Sequence, residues 1–212
     1  MLKDRVEAGQ LLGEQIRQIV NDSDLIVLAI PRGGVIVGHE IAKKLDCPLD
    51  VIVSKKITPP DYPEYGIGAI THDGTIFQGP NWESYSNAPD FAREIDKKKI
   101  EAKRRLEEYR GNDKYQLDGR TVILVDDGIA TGSTIFVLLK WLATQNLKCM
   151  ILAVPVIPVS IYEEIRSLVE EIVALEIPVE FSAVGQFYSK FDQVTDNEVI
   201  EILAKYKSRK KF

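Results

Sequence analysis

The feature that most constrains this chain is a set of short apolar runs, rich in Val and Ile, that do not alternate with polar residues. They are LIVLAI (25–30), VIVS (51–54), TVILV (121–125), MILAVPVI (150–157) and IVALEI (172–177). Alternation marks a strand with one wet face; its absence marks strands covered on both faces, as in a parallel sheet. Helical patterns lie between the runs. Ile135, Leu138, Leu139 and Leu142 share one face at spacings of three and four. Ile161, Ile165, Leu168 and Val169 do the same behind Ser160 and Glu163, which have capping-box spacing. Strands alternating with helices predict an α/β fold: a central, mainly parallel sheet flanked by helices and joined by right-handed crossovers.

Two stretches depart from that rhythm. GIGAITHDGTIFQG (66–79) reads as a hairpin turning at Asp73–Gly74. Residues 88–112 are dense in charge but carry Phe91, Ile95, Ala102, Leu106 and Tyr109 as a narrow apolar stripe, predicting a long, mostly solvated helix. A second capping box, Thr195 with Glu198, precedes Val199, Ile202, Leu203 and Tyr206.

At 212 residues the chain is long enough for one domain to hold its core without disulfide or metal. Its 27 basic and 32 acidic residues leave a formal charge of −5, which disfavours nucleic acid or an anionic membrane surface as partner. Cys47 and Cys149 lie in no metal-ligand spacing, and His39 and His72 are the only histidines. The first twenty residues are charged throughout, with no apolar segment of a secretory signal, and no run approaches a membrane span; a cytoplasmic protein is expected.

The sharpest motif is VILVDDGIATGST (122–134). A buried strand ends in Asp126 and Asp127, a short loop with Gly128 and Gly132 follows, and a helix begins. Small residues let successive N–H groups converge, and the helix start adds partial positive charge, so the loop is an anion cradle. Thr131, Ser133 and Thr134 add hydroxyl donors. The two acids just upstream repel phosphate but accept from vicinal hydroxyls. The combination describes a ribose 5-phosphate, held by its hydroxyls at one end and its phosphate at the other. A Walker loop is excluded because Gly132, not Lys, precedes Ser133, and no GxGxxG is present. A second loop, Pro31-Arg32-Gly33-Gly34, also joins a buried strand to a helix and pairs a donor fork with close backbone approach. Lys55 and Lys56 fall just past a strand end, the edge at which α/β sheets bind ligands.

At residues 122–134 the chain resembles the type I phosphoribosyltransferases, and VGQFYSKFDQVTDNEV (184–199) resembles a segment of an uncharacterised branch of that family, so the likeness covers nearly the whole chain. The resemblance implies a three-layer fold in one domain over 1–212. It would have a core over about 20–177, a flexible loop or helix over about 75–112, and a small hood from about 178–212 with the N-terminal helix. It implies that Asp126 and Asp127 hold the ribose hydroxyls of 5-phosphoribosyl 1-diphosphate (PRPP), and Mg2+ through water or PRPP. Gly128, Ile129, Ala130, Thr131, Gly132, Ser133 and Thr134 would take the 5-phosphate, and Arg32, Gly33, Gly34, Lys55 and Lys56 the diphosphate. A cis or strained peptide is expected near Arg32. Asp126, Asp127 and Glu64 are the candidate acid–base groups. Arg93, Lys97, Arg104 and Arg105 are candidates to meet diphosphate on loop closure.

The acceptor would be a nitrogenous base or related heterocycle, against Phe181, Phe187 and Tyr188, and a homodimer is expected. Pro155 stands where 6-oxopurine enzymes of the family carry a Lys, and Phe181 lies one place early for their stacking aromatic, so hypoxanthine and guanine are not supported. The alternative is a regulator that binds PRPP or nucleotide without turnover.

Overall fold

The structure is a computed structural model and describes residues 1–59, 62 and 65–206. In chain order the elements are α1 (Arg5–Ile19), β1 (Leu25–Ala29), α2 (Gly33–Leu45), β2 (Leu49–Val51), β3 (Ser54–Ile57), β4 (Gly68–Thr71), β5 (Ile76–Gln78), α3 (Trp82–Ser86), α4 (Phe91–Arg110), β6 (Thr121–Val125), α5 (Ser133–Leu142), β7 (Cys149–Val156), α6 (Val159–Ile165), β8 (Glu171–Glu176) and α7 (Asp196–Ala204), with a 3-10 turn at Val184–Phe187 before α7. They fall into two compact units. One comprises Met1–Ile52, Tyr115–Ala130 and the chain from Asn146 onward; the other comprises Val53–Lys114 and Thr131–Gln145.

The first unit holds a five-stranded, all-parallel sheet in the order β2-β1-β6-β7-β8. β1 and β6 are buried along their whole length, as unalternating runs require. Their register brings Val27 opposite Ile123 and Ala29 opposite Val125, so the two strands end together. Counted by strand, the chain leaves β1 toward β2 on one side and proceeds from β6 to β7 on the other. The sheet therefore has a topological switch point at the carboxyl ends of β1 and β6, where α/β sheets place their ligands. The N-terminal helix α1 and the residues expected to form a hood stay in this unit.

The run VIVS is placed differently from the expectation. The strand is Leu49–Val51, Ile52 and Val53 form a buried connection, and Ser54 opens β3. Burial alone does not separate a strand from a buried link, and Asp50, itself buried, interrupts the apolar run that would have marked β2. The capping box at Ser160 is also corrected. Pro158 is the N-cap of α6, so Ser160 is already helical, and no side-chain cap bond forms. The helix ends at Ile165, which leaves Leu168 exposed outside it. The box at Thr195 forms in full at the start of α7.

The second unit is a three-stranded antiparallel sheet, β3-β4-β5, against which α4 and α5 pack. The hairpin turns through Gly74, at φ +103°, where the sequence predicts it. On α4, Phe91, Ala102, Leu106 and Tyr109 are buried and the rest is largely wet. Arg93, Lys97 and Arg104 pair with Asp90, Glu94 and Glu108 on or beside their own helix, and Arg105 donates to the Tyr109 hydroxyl. Both cysteines are free thiols; burial pushes that of Cys47 up to about 12. Among the described residues no helix is long and apolar enough to cross a membrane.

Candidate functional site

The site grows from the paired ends of β1 and β6. Ile30 continues the pairing by donating its N–H to the Val125 carbonyl at 2.8 Å, and the two chains then turn into their loops. After β1 the Pro31–Arg32 peptide is cis, where the family resemblance leads one to expect an unusual bond. Gly33 and Gly34 then open α2 directly against the acid pair. A Cβ on Gly33 would lie 1.8 Å from Asp127 Oδ2, and one on Gly34 would lie 2.9 Å from the Asp126 Cα. Glycine is required because the loop packs onto the carboxylates without room for a side chain.

Asp126 and Asp127 sit where the loop leaves β6, both partly covered. Asp126 Oδ1 accepts the Asp127 N–H at 2.8 Å. Burial, and then the neighbouring Asp127 carboxylate, push the Asp126 carboxyl well above the ordinary range. Asp127 is held from two sides. Arg5 Nε donates to its Oδ2 at 2.7 Å, and the buried Tyr188 hydroxyl donates to its backbone carbonyl at 2.8 Å. Burial, followed by the Asp127 charge, raises the Tyr188 phenol, so it stays a donor at any ordinary pH.

Beyond the acids the loop tightens. Gly128 has φ +153°, and a Cβ there would lie 2.4 Å from Val184 Cγ1. The Ile129 N–H donates to the Val156 carbonyl at 2.9 Å, so Ile129 anchors the loop rather than contributing an amide to an anion, against expectation. The boundary between the two units falls after Ala130, within the loop. Thr131 is exposed, and Gly132, at φ +75°, is the N-cap of α5, with no side-chain cap bond. The N–H groups of Ser133, Thr134 and Ile135 therefore open the helix as first-turn donors without an intrahelical acceptor. The amides suited to an anion are those at and after Gly132.

Other expected residues divide. Arg32 Nη1 lies 3.7 Å from Asp196 Oδ2 at the start of α7, a partner not foreseen. Lys55 and Lys56 lie within β3, not past a strand end, so strand alternation points them to opposite faces; Lys55 reaches Glu101 on α4 at 3.5 Å. Phe181 and Phe187 stack, with centroids 5.9 Å apart and planes 17° off parallel, but Tyr188 does not join them: it stacks on Phe191 beneath the acid loop. Glu64 lies outside the described residues. Arg5 was missed altogether. Its one local signal is that a cation in the first turn of a helix runs against the helix dipole, so it needs a partner elsewhere. Among the described residues no cluster of three or more His, Cys, Asp or Glu forms a metal cage.

A parallel α/β sheet with an acid pair at its switch point is the frame for comparison with known proteins. The phosphoribosyl transferase domain family matches residues 2–189. A Mycobacterium tuberculosis protein, named provisionally as a phosphoribosyl transferase, is 37% identical over 206 residues, covering 96% of this chain and 46% of its own length. The chain thus spans about half the length of the curated relatives it matches. The crystal structure of TT1426 from Thermus thermophilus is 34% identical, with a TM-score of 0.81 and coverage of 97% of this chain and 98% of that one. The AQ2163 protein of Aquifex aeolicus shares the fold alone, at 11% identity and a TM-score of 0.53, over 85% of this chain and 76% of that one. This chain belongs to the phosphoribosyl transferase domain family.

Proposed function

We propose that the chain transfers the 5-phosphoribosyl group of PRPP to a nitrogenous acceptor, with release of diphosphate. The observation that carries the reading is the order of parts after β6: two carboxylates on a loop packed against Gly33 and Gly34, then a helix start with free first-turn donors. Asp126 and Asp127 accept from the ribose hydroxyls. The first-turn amides of α5, with the hydroxyls of Ser133 and Thr134, take the 5-phosphate. Arg32 exchanges Asp196 for the diphosphate, a better partner for its fork of donors.

Two adjacent carboxylates at one loop start are an oxygen donor set that fits a divalent cation. Asp126 and Asp127 would hold Mg2+ through water or through PRPP, and the ion would supply countercharge to the departing diphosphate. The protein's own contribution is positioning and electrostatics: the ribose is held at both ends while C1 gains positive character and the acceptor nitrogen approaches. The stacked Phe181 and Phe187 offer an aromatic surface to a flat heterocycle. The functional form is a homodimer, to be checked by light scattering.

The test is the melting-temperature shift with Mg2+ and PRPP. At a hundred times Kd, binding adds about 2.7 kcal/mol, or roughly 5–10 °C for a domain of this size. The shift is expected to vanish in Asp126→Asn/Asp127→Asn; its persistence there would overturn the site. Binding without turnover across a panel of nitrogen bases would favour a PRPP-sensing role instead.

A further inference from the structure

Arg5 reaches a carboxylate of the acid pair from outside both ligand loops, and its surroundings are built rather than incidental. It stands at the first position of α1, just after the N-cap Asp4, whose carboxylate accepts the Glu7 N–H. Its side chain is 11% exposed and that of Asp127 is 17%. Three partners hold the guanidinium. Nε donates to Asp127 Oδ2 at 2.7 Å, Nη1 donates to the Asp192 backbone carbonyl at 2.8 Å, and Cζ lies 3.8 Å over the Phe191 ring. Phe191 in turn stacks on Tyr188, whose hydroxyl bonds the Asp127 carbonyl. The N-terminal segment is tied to this region a second time: Leu2 donates its N–H to Phe187 and accepts that of Ser189.

We infer that Arg5 is the positioning residue of the acid pair. It holds one oxygen of Asp127 and leaves the other facing the ligand, so that the pair presents hydroxyl acceptors in one fixed arrangement. Two adjacent carboxylates on a partly covered loop repel each other and would splay if neither were held. Gly33 blocks motion of Oδ2 on one side, and Arg5 takes it on the other. A guanidinium suits this task because its planar fork bonds a carboxylate and a carbonyl at once while its face lies on a ring; an ammonium cannot do all three. Of the two carboxylates that would hold Mg2+, Asp127 is the one already oriented by a bond from Arg5. Arg5 acts through Asp127.

The inference rests on the ribose reading of the acid pair, and the experiment separates the two. Binding of ribose 5-phosphate and of 2-deoxyribose 5-phosphate, each with Mg2+, is measured by calorimetry on the full chain and on Arg5→Gln and Arg5→Lys. The wild-type protein is expected to prefer the ribose form. That preference is expected to fall about tenfold or more in Arg5→Gln, the scale of a lost hydrogen bond to a charged group, and to lie in between in Arg5→Lys. A general loss of structure would weaken both ligands alike and leave the ratio unmoved. A wild-type ratio in Arg5→Gln, or in Arg5→Lys should the Gln variant fail to fold, overturns the inference. A wild-type protein that binds neither sugar phosphate, or does not discriminate between them, overturns the ribose reading itself.

Discussion

The helix starts at α5 and α7 solve the same problem in opposite ways. At α7 the Thr195 side chain accepts the Glu198 N–H at 3.2 Å, and Glu198 Oε2 accepts the Thr195 N–H at 2.8 Å. The end is satisfied by its own residues. At α5 the N-cap is Gly132 and no side chain closes the end, although Thr131, Ser133 and Thr134 are all at hand with hydroxyls. A helix start without a side-chain cap leaves its first-turn donors to water or to a ligand. The first end is closed by its own residues; the second is the end that the proposed function assigns to the 5-phosphate.

The comparison can be broken at several points, the largest effect first. Gly33→Ala would press a methyl group 1.8 Å from Asp127 Oδ2, displacing the acid. It is expected to abolish the Mg2+–PRPP melting shift while lowering stability by about 1–3 kcal/mol, as overpacking does. A full shift in that variant would show that the acid pair is not read by the ligand. Gly132→Ala must hold φ +75° with a side chain. The strain of about 1–2 kcal/mol should lower Tm and shrink the ligand shift together.

Thr195→Ala sharpens the contrast from the other side. Loss of the box is expected to cost about 1 kcal/mol, or roughly 2–4 °C, with the ligand shift intact, measured in the same thermal scan. The smallest effect is in pH. Hydrogen bonds from the Thr195 backbone and hydroxyl hold the Glu198 carboxyl below its usual 4.5. A carboxyl lowered in the folded state stabilises it above its unfolded pKa, and that contribution is lost as pH falls through the folded one. The Tm gap between wild type and Thr195→Ala should therefore be full at about pH 6 and narrow below about pH 4. A gap independent of pH would mean that Glu198 takes no part.

Legibility in the sequence followed how local the cause was. Four of the five parallel strands, the hairpin at Asp73–Gly74, the stripe on α4 and the box at Thr195 were readable, because periodicity and turn chemistry act over a few residues; β2 was not, since Asp50 breaks its apolar run. The box at Ser160 failed although its spacing was right, because Pro158 starts the helix two residues early. Lys55 and Lys56 were expected just past a strand end because the link between β2 and β3 is as apolar as a strand; they lie within β3 and alternate between its faces.

The residues after β6 determined the acid pair, the glycine-led helix start and, through them, the family. Motifs of that kind are contiguous, and contiguous residues need no fold to be neighbours. Only the tertiary structure decided that Gly33 lies against Asp127, that the Val156 carbonyl takes the Ile129 amide, that Tyr188 supports the acid loop, and that Arg5 holds its second carboxylate. Arg5 and Asp127 stand 122 positions apart. Nothing in the intervening sequence pairs them; the parallel order of β1 and β6 and the return of the C-terminal segment over α1 bring them within a hydrogen bond.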